Sequence, residues 1–307
     1  MPHSANFRAS VYMLLAMGTF TFGDSITKYL SEEMGVGQYI FLRGLFATTL
    51  IGLFALKKGA LFHPSLDGKT IIRVLSEVFA SVSYIYSLAH LSQAFCSAVF
   101  QANPLVVTLG AALFLREKVG WRRWLCIIIG LMGVLIIIRP GASGSESLLA
   151  ITILLASIIF AASRDLVTRQ ISPQVPALYI STLTAAVITI TGAILIKPMG
   201  GWQPLSLTAI AITAIAALLL IVGYHFIILA MREGEVSFVS PFRYSSLLWA
   251  MILSTLVFQQ APDFYTIVGA LIIVASGIYM VYRESVLKKM AEAKSTLATI
   301  PTGVDPS

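Results

Sequence analysis

Asp24 and Lys28 stand four residues apart, and so do Asp165 and Arg169. On a helix that interval brings two side chains onto one face, where an acid and a base pair. Further ionisable residues, Arg43, Glu77, Arg164, His225 and Arg243, interrupt stretches that are otherwise apolar. Placing a charge in hydrocarbon costs a few kcal/mol on insertion scales, so such groups face one another or a polar cavity. For the Asp24–Lys28 and Asp165–Arg169 pairs the structural reading leads, with the two bases reaching toward an interface. The alternative is a functional role, with Asp24 or Glu77 carrying a proton if burial favours its neutral form. His225 in a neighbouring helix contact is the plain reading of a lone histidine.

Arg43 lies five residues after Gln38 and thirteen before Leu56, deep in its apolar stretch. Arg243 follows Pro241, which cannot donate to a helical ladder and frees a carbonyl nearby. A helix broken there leaves backbone groups that only a cavity tolerates in a membrane. A guanidinium is a planar fork that fits a carboxylate, a phosphate or a ring carbonyl. Tyr244 and Trp249 follow on the same stretch, and Gln101 and Asn103 supply amides beside Pro104. Tyr84 is seven residues after Glu77, and Phe79 and Tyr86 repeat that spacing. Aromatics so spaced pack a core first, but their faces could also take a flat ligand. The candidate substrate-binding residues are therefore Arg243, Tyr244, Trp249, Gln101, Asn103, Tyr84 and Arg43. The candidates for coupling or ion pairing are Asp24, Lys28, Glu77 and Asp165.

Other chemistries find no support. There is no P-loop, dinucleotide fingerprint, metal-spaced His/Cys cluster or nucleophile–base set, so no metal, cofactor or enzymatic activity is expected. Cys96 and Cys126 lie in or beside apolar runs and read as small core residues. Gly130 and Gly133 read as sites of close helix packing. A channel would show a continuous polar stripe on several helices, whereas the polar residues here cluster.

The elements that hold these residues must be membrane helices. Only 11% of the 307 residues are charged and 57% are hydrophobic, against roughly 25% charged for a soluble domain. Apolar runs of about 20 residues, the length that crosses a hydrocarbon core, recur throughout. Ten spans are expected, near 10–30, 38–56, 70–90, 94–115, 121–138, 147–169, 176–196, 205–230, 236–258 and 264–282. Breakers such as Lys57-Lys58-Gly59 and Arg139-Pro140-Gly141 separate them. The first apolar stretch, Val11 to Phe22, runs on to Leu30 without a cleavage site and reads as a span. Residues 283–307 read as a polar, solvated cytoplasmic tail.

The net charge of +7 does not indicate nucleic acid, because the bases sit in short loops. Of 21 Lys and Arg, four (Lys28, Arg43, Arg164, Arg243) lie within spans. With the N-terminus inside, Arg139 and Lys197 are the only bases on the far side. The rest, including the cluster Arg116, Lys118, Arg122 and Arg123, are cytoplasmic. Both termini are therefore expected in the cytoplasm.

The halves repeat. Asp24-Ser-Ile-Thr-Lys28 matches Asp165-Leu-Val-Thr-Arg169, Tyr39-Ile40 matches Tyr179-Ile180, and Pro104 and Pro241 both interrupt a span. A unit of five spans has odd parity, so its second copy enters the membrane inverted. The repeats are expected over 10–138 and 147–282.

The chain resembles the drug/metabolite transporter superfamily, in particular the ten-helix carriers made of two EamA-type repeats. The resemblance rests on Phe22-Gly-Asp24 with Lys28, Gln38-Tyr-Ile-Phe-Leu-Arg43-Gly44, Pro104-Leu-Val-Val-Thr with Phe114-Leu-Arg-Glu117, Trp121-Arg-Arg-Trp-Leu and Ser240-Pro-Phe-Arg243-Tyr244. The second half departs at Val257-Phe258-Gln259-Gln260, where the family usually has a Glu. The patterns are most like bacterial riboflavin uptake carriers. Carriers of S-adenosylmethionine share Asp24, Lys28, Arg43, Arg73 and Arg243 almost as well. The resemblance thus implies an all-α protein of the bacterial inner membrane that imports riboflavin by alternating access, with S-adenosylmethionine or another amino-acid-derived metabolite as the alternative. A homodimer is left open.

Overall fold

A computed structural model describes residues 2–60, 67–117, 119–139, 148–172 and 174–298. Lys118, Pro140, Gly141, the expected start of the second repeat at 147, and the tail beyond 298 lie outside the described residues. All the regular structure is helical among those described: α1 (Pro2–Leu30), α2 (Val36–Lys57), α3 (Gly68–His90), α4 (Gln93–Phe100), α5 (Asn103–Phe114), α6 (Trp121–Ile138), α7 (Leu148–Thr168), α8 (Ala177–Leu195), α9 (Leu207–Glu233), α10 (Val236–Val239), a 3-10 turn (Ser240–Tyr244), α11 (Ser245–Leu256) and α12 (Phe264–Ala298). Eight described stretches, the joined α4–α5 among them, are by length and apolarity alone able to cross a membrane. The other two expected spans are α1, diluted by polar residues, and the α10–α11 stretch, cut by its 3-10 turn. Two ends differ from the sequence expectation. The first helix begins at Pro2, and the last continues past Arg283 to Ala298 where a solvated tail is expected. Residues 283–298 lack Gly and Pro, so no breaker ends the helix there.

The breaks in spans four and nine follow from their prolines. Pro104 opens α5, and the turn before it tightens to short bonds, Ala102 N–H to Val99 O and Leu105 N–H to Ala102 O. Pro241 opens the 3-10 turn of span nine. Both lack the donor a continuous helix needs.

The helices pack as two inverted copies. Counting α4–α5 and α10–α11 as one span each, α1 packs on α9 and α7 packs on α3 in the equivalent way. Likewise α1 meets α11 as α7 meets α5, and α2 meets α9 as α8 meets α3. The pairs α2–α8 and α6–α12 map onto themselves. This set of contacts is unchanged when the halves are exchanged, as a twofold axis in the membrane plane requires.

Close approach replaces a hydrophobic driving force between helices in lipid. Gly133 of α6 and Gly269 of α12 face each other's carbonyls so closely that a side chain on either would collide. Gly37 of α2 meets the backbone of Leu195, and Gly192 of α8 meets that of Phe41. At the same end Gln38, fully buried, donates through Nε2 to the carbonyl of Gln203 (2.9 Å) and accepts from its N–H (2.8 Å). Buried Gln93 ties α4 to α1, donating to Thr21 O at 2.9 Å and accepting from Ser25 Oγ at 2.8 Å. Lys28 is buried as well. Its ammonium donates to the carbonyls of Leu91 (2.7 Å) and Leu88 (3.4 Å), where α3 runs out of helical acceptors' partners.

Candidate functional site

Charged side chains from α1, α2, α3 and α7 converge between the halves. Glu77, midway along α3, accepts from Arg164 Nη1 of α7 at 3.0 Å and lies 3.8 Å from Arg73 Nη2. Ser81 donates to its other oxygen at 3.3 Å. Arg164 also holds its neighbour, Nε to Asp165 Oδ1 at 2.9 Å, while Asn103 Nδ2 donates to Asp165 Oδ2 at 3.1 Å. Arg73 Nη1 donates to Thr184 Oγ1 of α8 at 2.6 Å. The side chains of Glu77, Arg73 and Arg164 keep 13%, 18% and 23% exposure, so the cluster borders an opening. Buried polar groups at membrane depth require such partners.

Beside this paired cluster stands a less occupied one. Asp24 accepts from the Tyr84 hydroxyl at 3.1 Å. Arg43 of α2 lies within electrostatic reach of Asp24, Tyr39 and Tyr224. Its Nε is buried and has no hydrogen-bond partner among the described residues, as is true of Arg73 Nε and Asn103 Oδ1. Ring pairs link the helices that carry these groups to their neighbours. Tyr84 meets Phe100 edge-on at 5.0 Å, Phe79 stacks on Phe160 at 5.1 Å, and Tyr224 meets Phe20 edge-on at 5.2 Å.

The structure thus brings together Asp24, Tyr84, Arg43, Glu77, Asp165 and Asn103. It does not pair Asp165 with Arg169, as the spacing suggests. Asp165 is taken by Arg164 and Asn103, and Arg169 lies 3.9 Å from Glu117. Both oxygens of Asp165 have nearer donors, and the end of α7 points Arg169 toward α5. Lys28 sits on the carbonyls at the end of α3, as described above. Span nine contributes differently. Arg243 is exposed in the 3-10 turn. Tyr244 is buried against Gly277 of α12. Trp249 packs toward Gly18 and lies 6.3 Å from Phe22, both on α1. Gln101 joins the two broken spans, Nε2 donating to Ser246 Oγ at 2.7 Å. Arg73, Thr184 and Tyr224 were not singled out from the sequence as site residues. For Tyr224 a signal existed, because it stands as far from Tyr84 as Tyr179 does from Tyr39. Among the described residues no group of His, Cys, Asp and Glu is arranged to hold a metal.

Two inverted bundles with ion-paired charges between them define a multi-pass membrane transporter. The chain belongs to the EamA-like transporter family, which it matches twice, over residues 7–139 and 147–283. It is 26% identical to a riboflavin transporter of Vibrio cholerae, over 91% of this chain and 94% of that one. It is 24% identical to an S-adenosylmethionine uptake transporter of Rickettsia bellii, over 89% and 93%. A pseudopaline exporter of Pseudomonas aeruginosa is 25% identical over 86% and 93%. A crystal structure of another protein superposes with a TM-score of 0.61 at 13% identity, covering 92% of this chain and 98% of that one. This last likeness carries the fold alone.

Proposed function

We propose that the protein is a carrier that imports riboflavin across the bacterial inner membrane by alternating access, with both termini in the cytoplasm. The observation that carries this reading is Arg43, a guanidinium within the apolar α2 whose Nε is buried and unpartnered among the described residues, set near Asp24 and aromatic rings. An unsatisfied buried donor is costly unless a ligand completes it. A flavin ring edge offers carbonyl acceptors for the guanidinium and an N–H for the carboxylate, and its faces suit the rings of Tyr84 and Phe100. Arg243, Gln101 and Asn103 add polar contacts along the broken spans, and Tyr244 and Trp249 brace them. Of the two coupling carboxylates, Asp24 is the freer, since Glu77 is held by two guanidinium groups. We read no enzymatic step from these residues.

A second reading has its own support. Arg43 and Asp24 also match the carboxylate and ammonium of an amino-acid-derived metabolite such as S-adenosylmethionine. Uptake by proteoliposomes separates the readings. Labelled riboflavin should enter and be competed by flavin analogues that keep the ring. Entry of S-adenosylmethionine without riboflavin would replace the first reading by the second, and entry of neither would remove both.

A further inference from the structure

The inverted repeat makes Tyr224 of α9 the counterpart of Tyr84 of α3, and Asp165 of α7 the counterpart of Asp24 of α1. In the first half the tyrosine hydroxyl bonds the acid, Tyr84 to Asp24 at 3.1 Å. In the second half this bond is absent. Arg164 occupies Oδ1 of Asp165 and Asn103 occupies Oδ2. Arg164 has no counterpart in the first half, where Gly23 precedes Asp24.

Tyr224 is left with no hydrogen-bond partner among the described residues. The residue is 49% exposed, although it stands within electrostatic reach of Glu77, Arg164, Arg73 and Arg43 from three other helices. A phenol surrounded by charged groups of neighbouring helices, yet uncovered, faces a space between them. Phe20 meets its ring at a near-perpendicular angle, centroids 5.2 Å apart, a contact that covers at most one side of the Tyr224 ring.

We propose that Tyr224 is a cargo-binding and specificity-determining residue, stacking its free face on a planar heteroaromatic ring and hydrogen-bonding a polar group of that ring through its hydroxyl. The inference rests on the carrier reading above and narrows the cargo to metabolites with such a ring. Riboflavin and S-adenosylmethionine both have one.

The test uses the full-length protein in proteoliposomes, with whichever of those two probes the wild type takes up. Tyr224→Phe removes one hydrogen bond and should raise KM about fivefold. Tyr224→Leu also removes the stacking face and should raise KM by roughly tenfold or more. In both, kcat should stay within about twofold. Titration of the same probe into the purified proteins should show Kd rising in the same order, and it decides the matter if Tyr224→Leu inserts poorly. An unchanged KM and Kd in both variants would overturn the inference while leaving the carrier reading intact. A fall in kcat alone, with Kd unchanged, would make Tyr224 a structural residue and overturn it too. A wild type that neither binds nor carries either probe would remove the carrier reading of these cargoes, and this inference with it.

Discussion

Arg43 and Arg243 are two arginines of similar sequence context with different surroundings. Arg43 stands near Asp24 with a buried, unpartnered Nε, and Arg243 is exposed at a helix break. If both touch cargo, Arg43→Ala and Arg243→Ala should each lose at least about tenfold in uptake, as expected for a charged hydrogen bond of 1.5–3 kcal/mol. Protein level and insertion should stay normal on immunoblots of membranes. The lysine variants should recover little, because an ammonium lacks the planar fork. A well-inserted Arg243→Ala protein with full uptake would confine the site to the Arg43 side. These residues were visible in the sequence because charge is rare in apolar runs. Their partners were not. Local spacing pairs Asp165 with Arg169, but the bond goes to the adjacent Arg164, which also reaches across to Glu77 on α3. Such choices depend on how helices distant in sequence face one another, which periodicity does not encode.

Element ends show how the helices are fixed outside the lipid. Asp263 caps α12 by accepting from Thr266 N–H at 2.9 Å, and it also holds the guanidinium of Arg139 at the end of α6. Arg139 sits in the left-handed region at φ 46° and covers the Tyr265 ring at 4.5 Å. Burial works to raise the Asp263 carboxyl, but the hydrogen bonds from Thr266 and the charge of Arg139 overcome it, holding the group below its usual 3.8. A carboxyl depressed on folding stabilises above its unfolded pKa, and that contribution fades as pH falls through the lower folded value. Asp263→Ala should therefore cost about 1 kcal/mol at pH 7, the usual worth of a helix cap. The difference from wild type in thermal unfolding of detergent-solubilised protein should shrink below about pH 4. A difference that does not change with pH would point to lost packing instead. The breaks in spans four and nine were readable from Pro104 and Pro241, since proline acts locally. The 3-10 geometry at Ser240–Tyr244 and the Gln101–Ser246 bond between the breaks were not, because both depend on the opposing helix.

At the scale of the whole molecule, the internal repeat was legible from a few matched residues, and the contacts of the helices obey it. Parity and the positive-inside bias together predict an orientation with both termini in the cytoplasm. A reporter that is active only in the periplasm should work when fused after Pro198 and stay silent after Lys58. The opposite pattern would invert the whole topology. The buried ammonium of Lys28 has a consequence for how such a chain is made. Its acceptors, Leu88 and Leu91, are some sixty residues downstream, so they leave the ribosome only after α1 and α2 have met the bilayer. During that interval these two acceptors are not yet available to Lys28, nor is the Tyr84 hydroxyl to Asp24. The first hairpin thus leaves the ribosome before the bonds that tie α1 to the end of α3 can form.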